Sequence, residues 1–474
     1  MRRNLVSLAV ALALGACAIT QSPQAPAPAM PAAWSEADAA NAVALTRDWW
    51  RGFGSTELAG LIDDALRASP DMTIAAERVV QAEAQARIAG ASLFPALSFS
   101  AGTGRRETRP AGGSWSGTDS SSAALSASYE IDLWGQIAAG KRAAESSLLA
   151  SRYDRETVRL TLVAGVASGY FQFLSLRGRL VIARENLGIA ERVLKVVDAR
   201  ARHGAASQLD LARQRAAVLG LRASLPALEL QERQTLYALA ILAGRQPEGF
   251  VAAGPAVIAL DVPRVAPGLP SDLLLRRPDL ASAEAQLASA NANVAAARAA
   301  LLPGISLSGS AGLASNVLIN FLHSPTASLA LSASLLQPIF EGGRLRGQID
   351  AAESRERELV EGYRRTILAA LADVEGALAS VGRTADQETL QAQVVEQSRN
   401  ALRLAEIRYR EGADDLLTLL DAQRTLFQAE DQLAQVRLSR LQASVGLFKA
   451  LGGGWQLPQA VGRARDTTTA HATA

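Results

Sequence analysis

The residue of this chain with the most usable chemistry is a thiol, Cys17, the one cysteine among 474 residues. It follows Met1-Arg2-Arg3, an apolar run from Leu5 to Leu14, and the small residues Gly15-Ala16. A basic start, a short apolar core and small residues before a cleavage point read as a secretory signal over 1–16. Leu14-Gly15-Ala16-Cys17 has the form of a lipobox, in which the thiol of Cys17 takes a diacylglycerol and the freed amine an acyl chain. Several chains on one residue suffice for stable anchoring. Ala18, standing where an Asp favours inner-membrane retention, points to the outer membrane. Residues 17–45, rich in Pro and Ala, read as an acylated tether. The plainer reading is an ordinary signal with an incidental cysteine; the sole Cys standing at the one useful position argues against it.

No other chemistry is in sight. His203, His323 and His471 lie far apart in the sequence, and no HExxH, CxxC or Walker-type pattern occurs. Neither a metal nor a cofactor is expected beyond the covalent lipid, and no nucleophile or acid–base pair can be assembled, so an enzyme is not expected. The chain carries 48 Lys and Arg against 46 Asp and Glu. Arg2 and Arg3 leave with the signal, so the mature chain balances, which gives no support for a nucleic-acid partner. Hydrophobic content is 49% with aromatics at 5%. Much of that content is Ala, a composition suited to long packed helices. After the signal no run of 18 apolar residues occurs, so no bilayer-spanning helix is expected.

Such helices need a plan, and an internal repeat supplies it. Pro70-Asp71 recurs as Pro278-Asp279, Phe94-Pro95 as Leu302-Pro303, Gly135 as Gly343, Ala143-Ala144-Glu145-Ser146 as Ala351-Ala352-Glu353-Ser354, and Gly204 as Gly412. Each pair is 208 residues apart. The chain is therefore two copies of one unit, over 57–245 and 265–452, joined by a linker over 246–270 holding Pro247, Pro255, Pro263, Pro267 and Pro270, with a tail over 453–474. The first copy predicts a helix over 60–92, strands over 95–104 and 122–133, a long helix over 136–202 and a helix over 206–243. The second predicts a helix over 270–300, strands over 304–313 and 327–338, a long helix over 344–410 and a helix over 414–451. Val163, Val166, Tyr170 and Phe173 step by heptad spacing, as do Leu371, Val374, Leu378 and Val381, and Leu420, Phe427, Ala434, Leu441 and Phe448. Sustained heptads imply coiled-coil packing of neighbouring helices. At 1.5 Å per residue each long helix measures ~100 Å.

The four strand segments alternate apolar with small polar residues. Leu97, Phe99 and Ala101 alternate with Ser98, Ser100 and Gly102, and Leu329, Leu331, Ala333 and Leu335 with Ser328, Ala330, Ser332 and Ser334. Alternation over ~10 residues is the signature of a transmembrane barrel. Residues 105–120 and 314–326 would be the hairpin loops. Four strands leave two open edges, which lipid does not tolerate, so copies must pool them. Two copies would give eight strands, three would give twelve with room for a pore, and the pattern prefers three only weakly. The glycine turns at Gly204 and Gly412 would then lie ~100 Å from the hairpins, in the periplasm.

Gly268-Leu269-Pro270-Ser271-Asp272-Leu273-Leu274-Leu275-Arg276-Arg277-Pro278-Asp279-Leu280 resembles the GLPSDLLxRRPDI motif of the TolC-like outer membrane efflux proteins, in the lipoprotein branch that serves resistance-nodulation-division pumps. Trp49-Trp50 with Phe53, Leu419-Leu420-Asp421-Ala422-Gln423 and Leu451-Gly452-Gly453-Gly454-Trp455 resemble further landmarks, and the likeness covers roughly 45–456. The resemblance implies a mainly α fold with a small transmembrane β-barrel. It implies a homotrimer whose twelve-stranded barrel, four strands per chain, continues into a twelve-helix tunnel. It also implies an exit duct for small molecules, docked at its tip by a periplasmic adaptor and an inner-membrane transporter.

By that likeness Leu417 and Asp421 match constriction rings, with Thr418 standing where some members carry a second Asp. Asp210 and Tyr409 match a tip lock. Asp414 stands where one member has Arg. Gly204, Ala205, Ser207, Gly412, Ala413 and Asp414 in the glycine turns suit grooves for adaptor hairpins. Three Asp421 carboxylates would attract cations, and Leu417 would form an apolar collar. The repeat sets Arg213 at the position of Asp421, which makes a salt bridge between them conceivable. A type I protein secretion channel is the rival within the same fold, and a lipid-anchored periplasmic scaffold without a pore the rival outside it; the lipobox with the GLPSD motif speaks against the first, the alternating strands against the second. Labelled palmitate fed to cells should enter the chain and fail to enter its Cys17→Ser variant; equal labelling of both would remove the anchor.

Overall fold

A computed structural model describes residues 30–36, 45–316, 321 and 323–457. The signal, Cys17 and most of the tail fall outside the described residues. The chain divides into two compact units. No described helix is long and apolar enough to cross a membrane.

The helices are α1 (Thr56–Ala68), α2 (Pro70–Ala91), α3 (Gln136–Arg202), α4 (Gln208–Leu242), α5 (Pro278–Ala299), α6 (Arg344–Arg410) and α7 (Leu416–Ala450). The strands are β1 (Ala96–Thr108), β2 (Ser116–Ile131), β3 (Gly304–Ser315) and β4 (Thr326–Leu336). Adding 208 to the bounds of α2, α3 and α4 gives those of α5, α6 and α7. The long helices fall on the predicted 136–202 and 344–410.

Two expectations need correction. The helix expected over 60–92 is two helices, α1 and α2, with Ser69 extended between them (ψ 129°). The helix expected over 270–300 is likewise a 3-10 turn at Pro270–Asp272, a single turn at Leu273–Arg276 and α5, with Arg277 extended (ψ 121°). The cause is the following proline, whose ring clashes with a helical residue before it, while its own fixed φ suits the first position of a new helix. The first hairpin is also longer than expected. Within residues 105–120, expected as a loop, the ladder continues from Arg105↔Asp119 to Thr108↔Ser116, leaving 109–115 as the turn. Both faces of that stretch are polar, so hydrophobic alternation gives no signal there, whereas backbone pairing needs none. Arg105 and Asp119, opposite in charge, face each other across it.

The unit holding residues 77–152 and 282–365 contains the sheet. Strand order is β1-β2-β3-β4, antiparallel throughout. Directly paired residues share a face, so the register writes out two surfaces. One carries the rows Leu97, Ala127, Gly309, Leu331 and Phe99, Leu125, Ala311, Leu329. Its large side chains are bare: Leu329 is 86% and Leu331 87% exposed. The other is a serine ladder, in which Ser306 and Ser334, and Ser308 and Ser332, touch hydroxyl to hydroxyl at 2.7 Å. The β3–β4 register is the β1–β2 register shifted by 208 on both strands: Ala96↔Ser128 becomes Gly304↔Leu336. Among the described residues, the outer edges of β1 and β4 have no partner strand.

Below the sheet, Asp132 caps α3 by accepting from the backbone N–H groups of Ile137 (3.0 Å) and Ala138 (2.7 Å). The Trp134 indole donates to the Pro303 carbonyl (2.8 Å). Hydroxyls of Ser147 and Ser289 meet at 2.9 Å, a contact that small side chains permit between helices.

The unit holding residues 153–281 and 366–457, with the described residues before Glu77, contains an aromatic and aliphatic core. Trp49 stacks on Phe448 at 4.8 Å, and Phe53, Tyr170 and Phe171 are fully buried. The N-terminal landmark is therefore packing. So is the C-terminal one: Gly452 has φ 88°, and a Cβ there would sit 1.8 Å from the Arg276 carbonyl oxygen. Tyr170 Oη meets Ser55 Oγ at 3.0 Å and donates to Glu57 (3.1 Å), and burial pushes its pKa up to about 12. Heptad positions Val163, Val166, Tyr170 and Phe173 are buried; Leu420, Phe427 and Ala434 are only half-buried in the single chain. The linker is pinned to α7, where Arg437 donates to the carbonyls of Ile258 and Leu260 and to Glu388 (2.9 Å). Arg437 and Glu388 are each 10% exposed at the side chain. Removing one partner of a buried pair strands the other charge, at a cost of about 3 to 5 kcal/mol. Glu388→Ala should therefore lower stability by about 3 kcal/mol, read from the thermal loss of helical circular dichroism; an unchanged midpoint would show the cluster to be solvated.

Candidate functional site

The expected site residues gather where the long helices end. Both ends are built alike. Gly204 (φ 74°) and Gly412 (φ 76°) adopt the left-handed turn that stops a helix. Ala205 N–H bonds to the Arg200 carbonyl, and Ala413 N–H to that of Arg408, both at 2.8 Å. Nothing lies within 4 Å of a Cβ built on either glycine, so the backbone alone requires them. Each next helix opens on a side-chain cap. Ser207 Oγ accepts from Asp210 N–H at 3.1 Å, and the Asp210 carboxylate accepts from Ser207 N–H at 3.2 Å. Asp415 accepts from the N–H and hydroxyl of Thr418 at 2.9 and 2.8 Å, and the backbone bond first of all holds its pKa below the usual carboxylate range. Gly204, Ala205, Ser207, Gly412 and Ala413 are exposed, and Asp414 is half-buried.

The two hairpins, α3–α4 and α6–α7, share an apolar core at this end. Val197, Leu211, Leu402, Tyr409, Leu416, Leu419 and Leu426 belong to it. Leu417 and Asp421, one helical turn apart, stay on the exposed side of α7, with Leu417 57% exposed. Its repeat mate Leu209 is equally bare at 58%.

Two pairings, one expected from the resemblance and one conceivable from the repeat, are not made within the chain. Asp210 does not reach Tyr409, because its carboxylate is spent on the cap of α4. Asp421 does not reach Arg213; it bonds Arg424 at 2.7 Å, three residues along its own helix. Tyr409 instead lies under a cation: the Arg200 guanidinium sits 4.8 Å from its ring centroid. Arg408 grips Asp414 with two bonds, of 2.7 and 3.0 Å. That grip holds the Asp414 pKa low and the Arg408 pKa high. Neither arginine was picked out by the motifs. The signal available was their spacing: Arg200 and Arg408 are repeat mates, each four residues before its glycine.

The sequence profile of the outer membrane efflux proteins matches residues 61–245 and 269–453, the second span being the first moved by 208. The pyoverdine export outer membrane protein OpmQ of Pseudomonas aeruginosa is 45% identical over 464 residues, covering 96% of this chain and 97% of its own. The antibiotic efflux pump outer membrane protein ArpC of Pseudomonas putida is 36% identical over 469 residues, covering 96% of both. Among solved structures, the open state of the Neisseria gonorrhoeae MtrE outer membrane channel superposes with a TM-score of 0.83 at 30% identity, covering 92% of this chain and 98% of that one. The match follows the repeat, and the chain belongs to the outer membrane efflux protein family, whose members are transport channels of the TolC-like fold.

Proposed function

We propose that three copies of this chain form the exit duct of a tripartite efflux pump. Their sheets close into a twelve-stranded barrel through the outer membrane, and their helices form a twelve-helix tunnel. A lipid on Cys17 anchors each copy. A periplasmic adaptor and an inner-membrane resistance-nodulation-division transporter deliver small molecules to the tip, around the glycine turns at Gly204 and Gly412. Leu417, Thr418 and Asp421 ring the constriction there. Passage is passive.

One observation carries this reading: a sheet with one apolar face, one serine face and two unpartnered edges. In hydrocarbon, unpaired backbone N–H and C=O groups cost several kcal/mol each, so β4 must meet β1 of another copy. The repeat supplies the register. Leu125↔Ala311 joins the two copies of the unit inside the chain. Moved on by one repeat, it becomes Ala333 of one chain against Thr103 of the next, both on the apolar side of their strands.

The cargo reading rests on the relatives. Two at 45% and 46% identity are named for pyoverdine export, whereas the 36% relatives include proteins named for antibiotic and toluene efflux. A small molecule of pyoverdine's kind therefore has the first claim. Expressed in a Pseudomonas aeruginosa strain lacking OpmQ, this chain should return pyoverdine to the medium; no recovery despite correct membrane insertion would set that cargo aside.

Cysteines at 103 and 333 test the closure. After oxidation, boiled samples should show covalent trimers as the largest closed species, released by reductant. Thr103→Cys paired with Leu331→Cys, one step out of register, should give none. A covalent dimer as the largest species would mean eight strands, and single chains without any sheet signal would remove the duct.

A further inference from the structure

The register sorts every strand residue onto one face or the other, and with it every charge in the sheet. The serine face holds two charged side chains, Arg106 on β1 and Glu130 on β2. Its other positions are Ser, Thr, Gly and Ala, with Leu336 at the end of β4. Glu130 lies one residue from the end of β2 that leads into α3, opposite Ser306. Arg106 lies toward the other end, opposite Thr118. Twelve residues of β2 separate Thr118 from Glu130, ~40 Å of strand at 3.3 Å per residue.

Arg106 has no counter-charge. The acids near it in sequence, Glu107 and Asp119, fall on the apolar face, where they approach Arg105 at 3.2 and 3.9 Å. Among the described residues the Arg106 side chain makes no ion pair and no hydrogen bond, and it is exposed. Beside it on its own face stand Gly104, Thr108, Thr118 and Ser120, all uncharged. Its mate in the second copy is Ala314, and residues 314–326 hold no Lys, Arg, Asp or Glu. One guanidinium per chain is thus left uncompensated at this end of the serine face. Its height follows from the strand. Arg106 is ten residues along β1 from Ala96, ~33 Å, and at the ~40° tilt of barrel strands this is ~25 Å of height, the thickness of a barrel's apolar band.

We propose that the Arg106 side chains of three copies form a cationic collar at the outer mouth of the duct, a site that gathers small anions as they leave and repels cations from outside. The proposal rests on the channel reading above. A guanidinium stays charged at every pH a cell meets, and a ring of Arg or Lys is what favours anions in a pore. Glu130 lies several screening lengths away at 0.1 M salt, too far to cancel it. The closure that sets Ala333 against Thr103 of the next copy also sets Ala330 against Arg106 of the next copy. A collar is therefore felt at 330 as well as at 118, whereas a charge confined to one hairpin is felt at 118 alone.

Thiols at these two positions test the collar. Thr118→Cys and Ala330→Cys chains in membranes are treated with a methanethiosulfonate bearing either a sulfonate or a trimethylammonium group, and labelling of each residue is read by mass spectrometry. The ratio of the two rates cancels any effect of Arg106 on the reactivity of the thiol itself. In about 10 mM salt, adding Arg106→Gln should lower the anionic-to-cationic ratio about fivefold at both positions, and 1 M salt should remove the difference. Arg106→Lys should keep the ratio. A thiol placed by Ser128→Cys, far down β2, should be indifferent to Arg106. An unchanged ratio at 118 after Arg106→Gln, with the 103–333 trimers still formed, would overturn the collar while leaving the channel. A response at 118 without one at 330 would confine the charge to one hairpin and overturn the collar as well. Absence of the 103–333 trimers would overturn the channel reading, and the collar with it.

Discussion

A strand edge is a row of backbone donors and acceptors, and the thirteen residues of β1 and eleven of β4 each present one such row with no partner among the described residues. In water these groups would be solvated. Beside a face carrying Leu97, Phe99, Leu329 and Leu331 at the surface, they adjoin the very side chains that seek hydrocarbon. The two demands conflict unless another copy supplies the missing ladder. The long helices inherit that constraint, since each strand pair hands the chain to α3 or α6, and whatever number of copies closes the sheet fixes the number of helices beneath it.

The internal repeat meets the same constraint economically. A closed ring of strands needs every neighbouring pair to share one geometry, and here the β1–β2 and β3–β4 ladders have the same register after a shift of 208. Helix bounds are repeated to the residue for three helix pairs. Identity of the copies does not reach every element: α1 has 13 residues where the second copy has a 3-10 turn and a single helical turn, and the tip differs as well. Asp414 faces Ala206 across the repeat, Tyr409 faces Ala201, and Asp421 faces Arg213. Uniformity of register suits a closed ladder, and these differences leave it untouched.

How far the sequence was legible follows from this division. Long helices, strands and offset were readable because each is a periodic demand, of 3.6 or 2 residues, repeated twice. The breaks at Ser69 and Arg277 were readable in principle from Pro70 and Pro278, since a proline disfavours a helical residue before it. The polar end of the first hairpin carried no alternation, so 105–108 and 116–120 looked like loop although they pair. At the tip, resemblance supplied residues without partners. Asp210 was expected at Tyr409, yet its own helix start claims it, since a carboxylate three residues after Ser207 completes a capping box locally before any distant ring can compete. Arg200 was invisible to motif reading because its contact with Tyr409 joins residues 209 positions apart.

These partners change what kind of gate the tip can be. A ring of bare Asp421 carboxylates would be a charge filter, drawing cations and resisting closure by mutual repulsion. In this chain Arg424 stands 2.7 Å from Asp421, on the same exposed helix face. Both side chains are more than 60% exposed, so the pair contributes little to stability, but it still places a positive charge beside each negative one. Thr418, where a second acid would deepen the negative field, turns its hydroxyl to Asp415 and serves the helix cap. On the proposed reading, three copies meeting at the tip would therefore bring paired rather than bare charges together at Asp421, and the exposed apolar side chain of Leu417 would supply the surface that excludes water between them.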